Sequence, residues 1–69
     1  MHKTLKIEGM TCGHCKMKVE NTLNGLNQVD SAEVDLIDGI CEVEINSDID
    51  GDELKKIIAD AGYTLVDVN

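Results

Sequence analysis

Two thiols three residues apart, Cys12 and Cys15, are the groups in this 69-residue chain best placed to do chemistry. They stand in Gly9-Met10-Thr11-Cys12-Gly13-His14-Cys15, where an extended segment gives way to a helical one. Thiols at a helix start feel the positive end of its dipole, which lowers their pKa and favours the thiolate, the form that binds metal or attacks a disulfide. The motif therefore offers two chemistries, soft-metal binding and thiol–disulfide exchange. His14, between the cysteines, is expected to face solvent beside the site, with a pH-sensing or ligand role as the alternative.

Disulfide exchange is the weaker of the two. Cys12-Gly13-His14-Cys15 is the tetrapeptide of protein disulfide isomerases, and a His between the cysteines can shift the redox poise. Thioredoxin-like domains, however, are longer and use a Trp before the motif and a cis-Pro facing it, and this chain has no Trp and no Pro. For metal, a structural zinc site needs four Cys or His ligands, and one C-x-x-C supplies half of them. Cys41 falls on the core-facing side of a strand and His2 at a terminus expected to fray, so neither completes a zinc set. Two thiolates alone suit an ion that accepts near-linear two-coordination, which means Cu(I) before Zn(II). Two metal–sulfur bonds of roughly 2.2–2.3 Å laid end to end span about 4.5 Å, within reach of this spacing. Such a site leaves room for an incoming thiolate, as a carrier requires.

The rest of the composition narrows the class. One domain over residues 1–69 is the only sensible count, with a core of Leu, Ile, Val, Ala and Met because Tyr63 is the sole aromatic. No apolar run near the amino terminus resembles a signal peptide or membrane span, which makes a cytoplasmic protein the expectation. There, three cysteines point to metal or redox work rather than a disulfide scaffold. The net charge of -8 argues against bulk affinity for nucleic acid or an anionic membrane. It is unevenly spread: residues 1–18 hold four lysines against Glu8, a balance of +3, while residues 19–69 balance at -11. Lys16 and Lys18 flank the thiols on the expected first helix, which makes them candidates for docking a partner acidic around its own cysteines.

The elements that must position the thiols follow from periodicity. Residues 3–8 alternate, with Leu5 and Ile7 on one side, as a short half-buried strand that Gly9 ends. A helix over about 13–26 carries Cys15, Val19, Leu23 and Leu26 on one stripe, with Gly25 or Asn27 as its stop. A strand over about 29–36 puts Ala32, Val34 and Leu36 on one face, and another over about 40–46 does the same with Cys41, Val43 and Ile45. Asp38-Gly39 between them predicts a tight hairpin with both residues at positive φ. Asp50 with Glu53 predicts a capping box opening a helix through Leu54, Ile57, Ile58 and Ala61; Gly62 ends it, and 63–68 form a last strand. The order strand, helix, strand, strand, helix, strand predicts an α/β sandwich of ferredoxin-like βαββαβ type, a four-stranded antiparallel sheet with both helices on one face. Right-handed crossovers then bring the thiol loop, the 37–39 hairpin and the 62–63 loop to one end, and the acidic 48–52 loop to the other.

The chain resembles the heavy-metal-associated domains. Gly9-Met10-Thr11-Cys12-Gly13-His14-Cys15 fits their G-M-x-C-x-x-C signature, Asp38-Gly39 and Ala61-Gly62-Tyr63 also fit, and the likeness runs from about Lys3 to Val68. The resemblance implies the ferredoxin-like fold and, for a free-standing member without a signal sequence, a bacterial copper chaperone. Such proteins carry Cu(I) to the soluble domains of a copper-exporting P-type ATPase or to a copper-responsive repressor. It further implies Cys12 and Cys15 as ligands, Met10 as a buried apolar tether for the loop, and Tyr63 as a neighbour of the metal. Eukaryotic copper chaperones usually carry Lys at that last position, and periplasmic mercury-binding relatives are exported, so the likeness is to the cytoplasmic bacterial branch. The protein is expected to be a monomer when apo, with a copper-bridged dimer as a further state. A detached metal-sensing domain of a transporter is the other reading the resemblance leaves open.

Overall fold

The computed structural model describes residues 1–69. The chain forms β1 (His2–Glu8), α1 (Gly13–Asn24), β2 (Val29–Asp35), β3 (Ile40–Ile45), α2 (Gly51–Asp60) and β4 (Thr64–Val68). The strands form one antiparallel sheet in the order β2-β3-β1-β4. Alternation buries Leu5 and Ile7 from β1, Val34 from β2, Cys41, Val43 and Ile45 from β3, and Leu65 from β4 on a single face. Val19 and Leu23 of α1 and Leu54 and Ile58 of α2 complete the same cluster, so both helices cover that face. This is the expected ferredoxin-like sandwich. No helix is long and apolar enough to cross a membrane.

Register fixes which loops meet. Glu8 pairs with Thr64 and Lys6 with Ile40, and the Ile7 N–H donates to the Gly39 carbonyl at 3.0 Å. The β1–α1 loop with its thiols, the β2–β3 turn and the α2–β4 loop therefore share one end of the sheet. His2 pairs with Glu44 and Val29 with Ile45 at the other end, where the acidic segment between β3 and α2 begins.

Several local details depart from the sequence reading. Helix α1 stops at Asn24, and Gly25 caps it in a right-handed conformation with φ -77° instead of the left-handed stop. The β2–β3 turn is longer than a two-residue hairpin: Gly39 alone has positive φ, +68°, and its N–H closes onto the Asp35 carbonyl at 2.9 Å. The Asp35 carboxylate accepts from the N–H groups of Ile37 and Asp38, and this bracing leaves Asp38 at negative φ. At α2, Asp50 caps the Asp52 N–H, and no reciprocal Glu53 bond forms, so the capping box is half made. A bulge between Val29 and Ser31 resets the phase of β2, which lets Val29 be buried alongside Val34. The sheet edge at β2 is closed by α1, whose Glu20 carboxylate accepts the Val34 N–H at 2.9 Å.

Candidate metal centre

The thiol loop is shaped by what it cannot expose. Met10, only 9% exposed, belongs to the core cluster and so ties the loop to the core beneath it. Gly9 at φ +99° turns the chain out of β1, and Gly62 at φ +100° turns it out of α2, conformations that a side-chain-bearing residue rarely adopts. These two turns converge: a Cβ placed on Gly9 would lie 3.4 Å from Cδ1 of Tyr63. The half-buried Tyr63 ring thus packs on the root of the thiol loop and on the core beneath.

Cys12 is the N-cap of α1, with extended φ -153° and ψ 173°. Ser, Thr or Asp would use its side chain there to bind a backbone N–H; the Cys12 side chain makes no such bond. No acid stands in the first turn of α1 either, so the positive end of the helix is left uncompensated beside the sulfurs. Cys12 is exposed, Cys15 half-buried, and their Sγ atoms lie 3.6 Å apart. Linear coordination across about 4.5 Å asks the pair to open by roughly 0.9 Å, a side-chain rotation rather than a backbone change.

The Cys15 thiol is lowered from its ordinary 9.0 to about 6. The Tyr63 hydroxyl has the largest influence, followed by the Thr11 backbone and the Cys12 thiol, with burial opposing. The phenol responds in kind: its pKa is raised, first by Cys15 hydrogen bonding, then by burial and by the charges of Cys15 and Cys12. The one side-chain hydrogen bond at the pair is the thiol–thiol contact itself.

Around the pair, His14 is exposed and makes no side-chain hydrogen bond. Lys16 is half-buried and Lys18 exposed, and neither is in an ion pair; the one ion pair in the chain joins His2 to Glu44. His2 is not a frayed end. It sits in β1 with Nδ1 2.6 Å from the Glu44 carboxylate, at the opposite end of the sheet from the thiols. Cys41 lies across from Leu5 and Val34 in the middle of the sheet, fully buried, and its thiol is pushed up to about 12 by burial first and by Glu20 next. No group of three His, Cys, Asp or Glu side chains gathers in metal-holding geometry anywhere in the molecule. The chemistry on offer is two soft sulfurs, with the Cys15 thiol more readily ionised than an ordinary one, and no third donor gathered beside them. Nothing in the sequence marks the Thr11 backbone as a contributor, because every residue type presents the same main chain.

The chain and its fold have relatives among known proteins. The heavy-metal-associated domain family matches residues 4–64. A relative named copper chaperone CopZ, from Staphylococcus aureus (strain bovine RF122 / ET3-1), is 44% identical over 63 residues, covering 90% of this chain and 93% of its own. A solved structure named CopZ metallochaperone superimposes with TM-score 0.87 at 40% identity, over 96% of this chain and 100% of that one. A copper binding domain from HMA7, a P-type ATPase, superimposes with TM-score 0.84 at 29% identity, over 100% and 99%. With its signature loop, its βαββαβ sheet and a match over most of its length, this chain belongs to the heavy-metal-associated domain family.

Proposed function

We propose that the protein is a copper chaperone: it binds one Cu(I) through Cys12 and Cys15 and passes it to another protein by thiolate exchange. It is a metal carrier and not an enzyme. The observation that carries this reading is the isolated sulfur pair, Cys12 exposed and Cys15 half-buried, 3.6 Å apart at an acid-free helix start, with no third donor gathered beside it. The names of its relatives, copper chaperone and CopZ metallochaperone, support copper as the cargo.

Two-coordinate Cu(I) keeps its cargo site open to an incoming ligand. A partner thiolate enters to give a three-coordinate bridged species, one carrier thiolate leaves, and the second follows; the oxidation state does not change. Cys12, the more exposed sulfur, is the one an incoming ligand meets first, while Cys15 is held by the loop and by Tyr63. Met10 fixes the loop, His14 stands exposed beside the site without being a ligand, and Lys16 and Lys18 set the encounter rate with an acceptor acidic around its cysteines, an effect read as ionic-strength dependence of transfer. The acceptor is the soluble domain of a copper-exporting P-type ATPase or a copper-responsive repressor, in the cytoplasm. The carrier is monomeric when apo, and a copper-bridged dimer forms when two copies share the ion.

Native mass spectrometry after anaerobic, reducing reconstitution with Cu(I), Zn(II) and Hg(II) tests the proposal. One Cu(I) per monomer is expected, lost in Cys12→Ser or Cys15→Ser and retained in Cys41→Ala. Tight binding that survives in the Cys12→Ser, Cys15→Ser double variant ends it.

A further inference from the structure

Ile37 stands in the turn between β2 and β3 with 96% of its surface exposed. Single apolar residues on a surface are ordinary, but this one is braced. The Asp35 carboxylate accepts from the Ile37 N–H at 2.9 Å and the Asp38 N–H at 3.2 Å, and the Gly39 N–H closes onto the Asp35 carbonyl at 2.9 Å. These three bonds brace the turn in a shape that presents an isoleucine to solvent.

Its location is the second observation. The Gly39 carbonyl accepts the Ile7 N–H at 3.0 Å, which hooks the turn to β1 two residues before the thiol loop starts at Gly9. Strands β1 and β2 each pair antiparallel with β3 and so run the same way, and α1 between them runs back. The N-terminus of α1, with Cys12, thus lies at the end of the sheet where β2 enters this turn. Any protein that brings a thiolate to a metal on Cys12 and Cys15 must bring its surface over this end.

Charge is the third. Beside Ile37 an open concavity of about 220 Å³ is lined by Glu33, Asp35, Asp38 and Glu42 with Val34 and Ile40. Glu33 and Glu42 are direct cross-strand partners, a destabilising pairing of like charges, and no cation of the chain is in ion-pairing distance of any of the four. On the α1 side of the thiols stand the unpaired Lys16 and Lys18. The end of the molecule is thus basic on one flank and acidic with an apolar knob on the other.

We infer that Ile37 is the apolar anchor of the transfer complex. It enters an apolar depression rimmed by Lys or Arg on one side of the metal-accepting domain's cysteine pair, while the acidic side of that domain meets Lys16 and Lys18. The anchor and the two charged flanks admit the acceptor in one orientation, since the reversed one sets like charges against each other. This inference rests on the carrier reading above and adds the surface that selects the acceptor.

The test compares two acceptors of Cu(I) from the loaded protein. One is the soluble cysteine-pair domain of a copper-transporting P-type ATPase; the other is a small bidentate Cu(I) chelator, which needs no docking surface. Ile37→Ser is expected to slow transfer to the domain about tenfold at sub-saturating acceptor, the size of effect typical of an interface anchor. Chelator extraction and the melting temperature stay at their wild-type values, because Ile37 touches neither the core nor the sulfurs. Ile37→Val retains most of the transfer rate. Equal transfer rates for wild type and Ile37→Ser overturn the inference, and so does a slowing that appears equally with the chelator. Failure of the carrier reading shows separately, as wild-type protein that retains no Cu(I) before any acceptor is added.

Discussion

Helix α1 opens at Cys12, whose side chain caps nothing and whose first turn holds no acid. Helix α2 opens at Asp50, whose carboxylate takes the Asp52 N–H at 3.0 Å, with Asp52 and Glu53 following in the first turn. Both N-caps have extended backbone, so the geometry of entry is available to either residue type. The difference lies in what the positive helix end is used for. In α2 it is satisfied internally, by a cap and two carboxylates that favour folding. In α1 it is left for sulfur: forgoing a cap costs about 1 kcal/mol of stability, and in return the thiolates stand at an exposed, positive helix end.

The most direct way to break the comparison is to give α1 the start that α2 has. Cys12→Asp is expected to abolish retention of Cu(I) against a competing chelator. In the same variant the apo protein gains about 1 kcal/mol, which a thermal melt reads as a rise of roughly 4–8 °C for a domain of this size. A Cys12→Asp protein that still holds copper would show that the pair is not the site.

Tyr63 sharpens the same point. Its ring shields the loop and its hydroxyl favours the ionised Cys15, so the two contributions separate by substitution. Extraction of Cu(I) by a chelator is expected to be fastest in Tyr63→Ala, intermediate in Tyr63→Phe and slowest in wild type, with at most about tenfold between the last two in so wet a site. Identical rates in all three would reduce Tyr63 to packing. The reciprocal experiment on α2 is Asp50→Ala, which loses about 1 kcal/mol of stability in denaturant titration and leaves Cu(I) affinity unchanged. A change in copper affinity there would mean that the two helix starts are coupled.

Stability also depends on pH. Cys15 is lowered to about 6 in the folded apo protein from 9.0, so the unfolded chain binds more protons between those values and stability rises with pH from about 6 to about 9. Cys41 works in the opposite sense. Held up to about 12 by burial, it stays protonated where the unfolded thiol ionises, so stability falls from about 9 to about 12. Thermal melts of the reduced apo protein should lose the rising limb in Cys15→Ser and flatten the falling limb in Cys41→Ala. Unchanged profiles in both would remove the thiols from the pH dependence.

Short-range patterns carried much of this molecule in the sequence. Leu5 and Ile7, and Cys41, Val43 and Ile45, announce their buried faces by strict alternation, and the order of elements gives the sheet. What stayed illegible depends on partners far along the chain or on one atom. Val29 is out of phase with Val34 until the bulge resets β2, and a bulge leaves no residue signature here. Asp38-Gly39 reads as a two-residue turn because the carboxylate that enlarges it belongs to Asp35. At the site, the C-x-x-C spacing was plain and the expected topology already brought the Tyr63 loop to the thiols; that Cys15 is the sulfur it affects needed the fold. The bracing of Ile37 was equally hidden, since an isoleucine in a polar turn looks like a stray core residue until the turn is seen.

The claim that two sulfurs and nothing else hold the cargo is tested most directly by X-ray absorption at the copper edge. The sample is the one-to-one Cu(I) complex of the monomer in thiol-free, anaerobic buffer. Two sulfur neighbours at a single distance and no nitrogen are predicted, unchanged in Cys41→Ala and in His14→Ala. A nitrogen shell that disappears in His14→Ala, or a third sulfur that disappears in Cys41→Ala, would contradict the account.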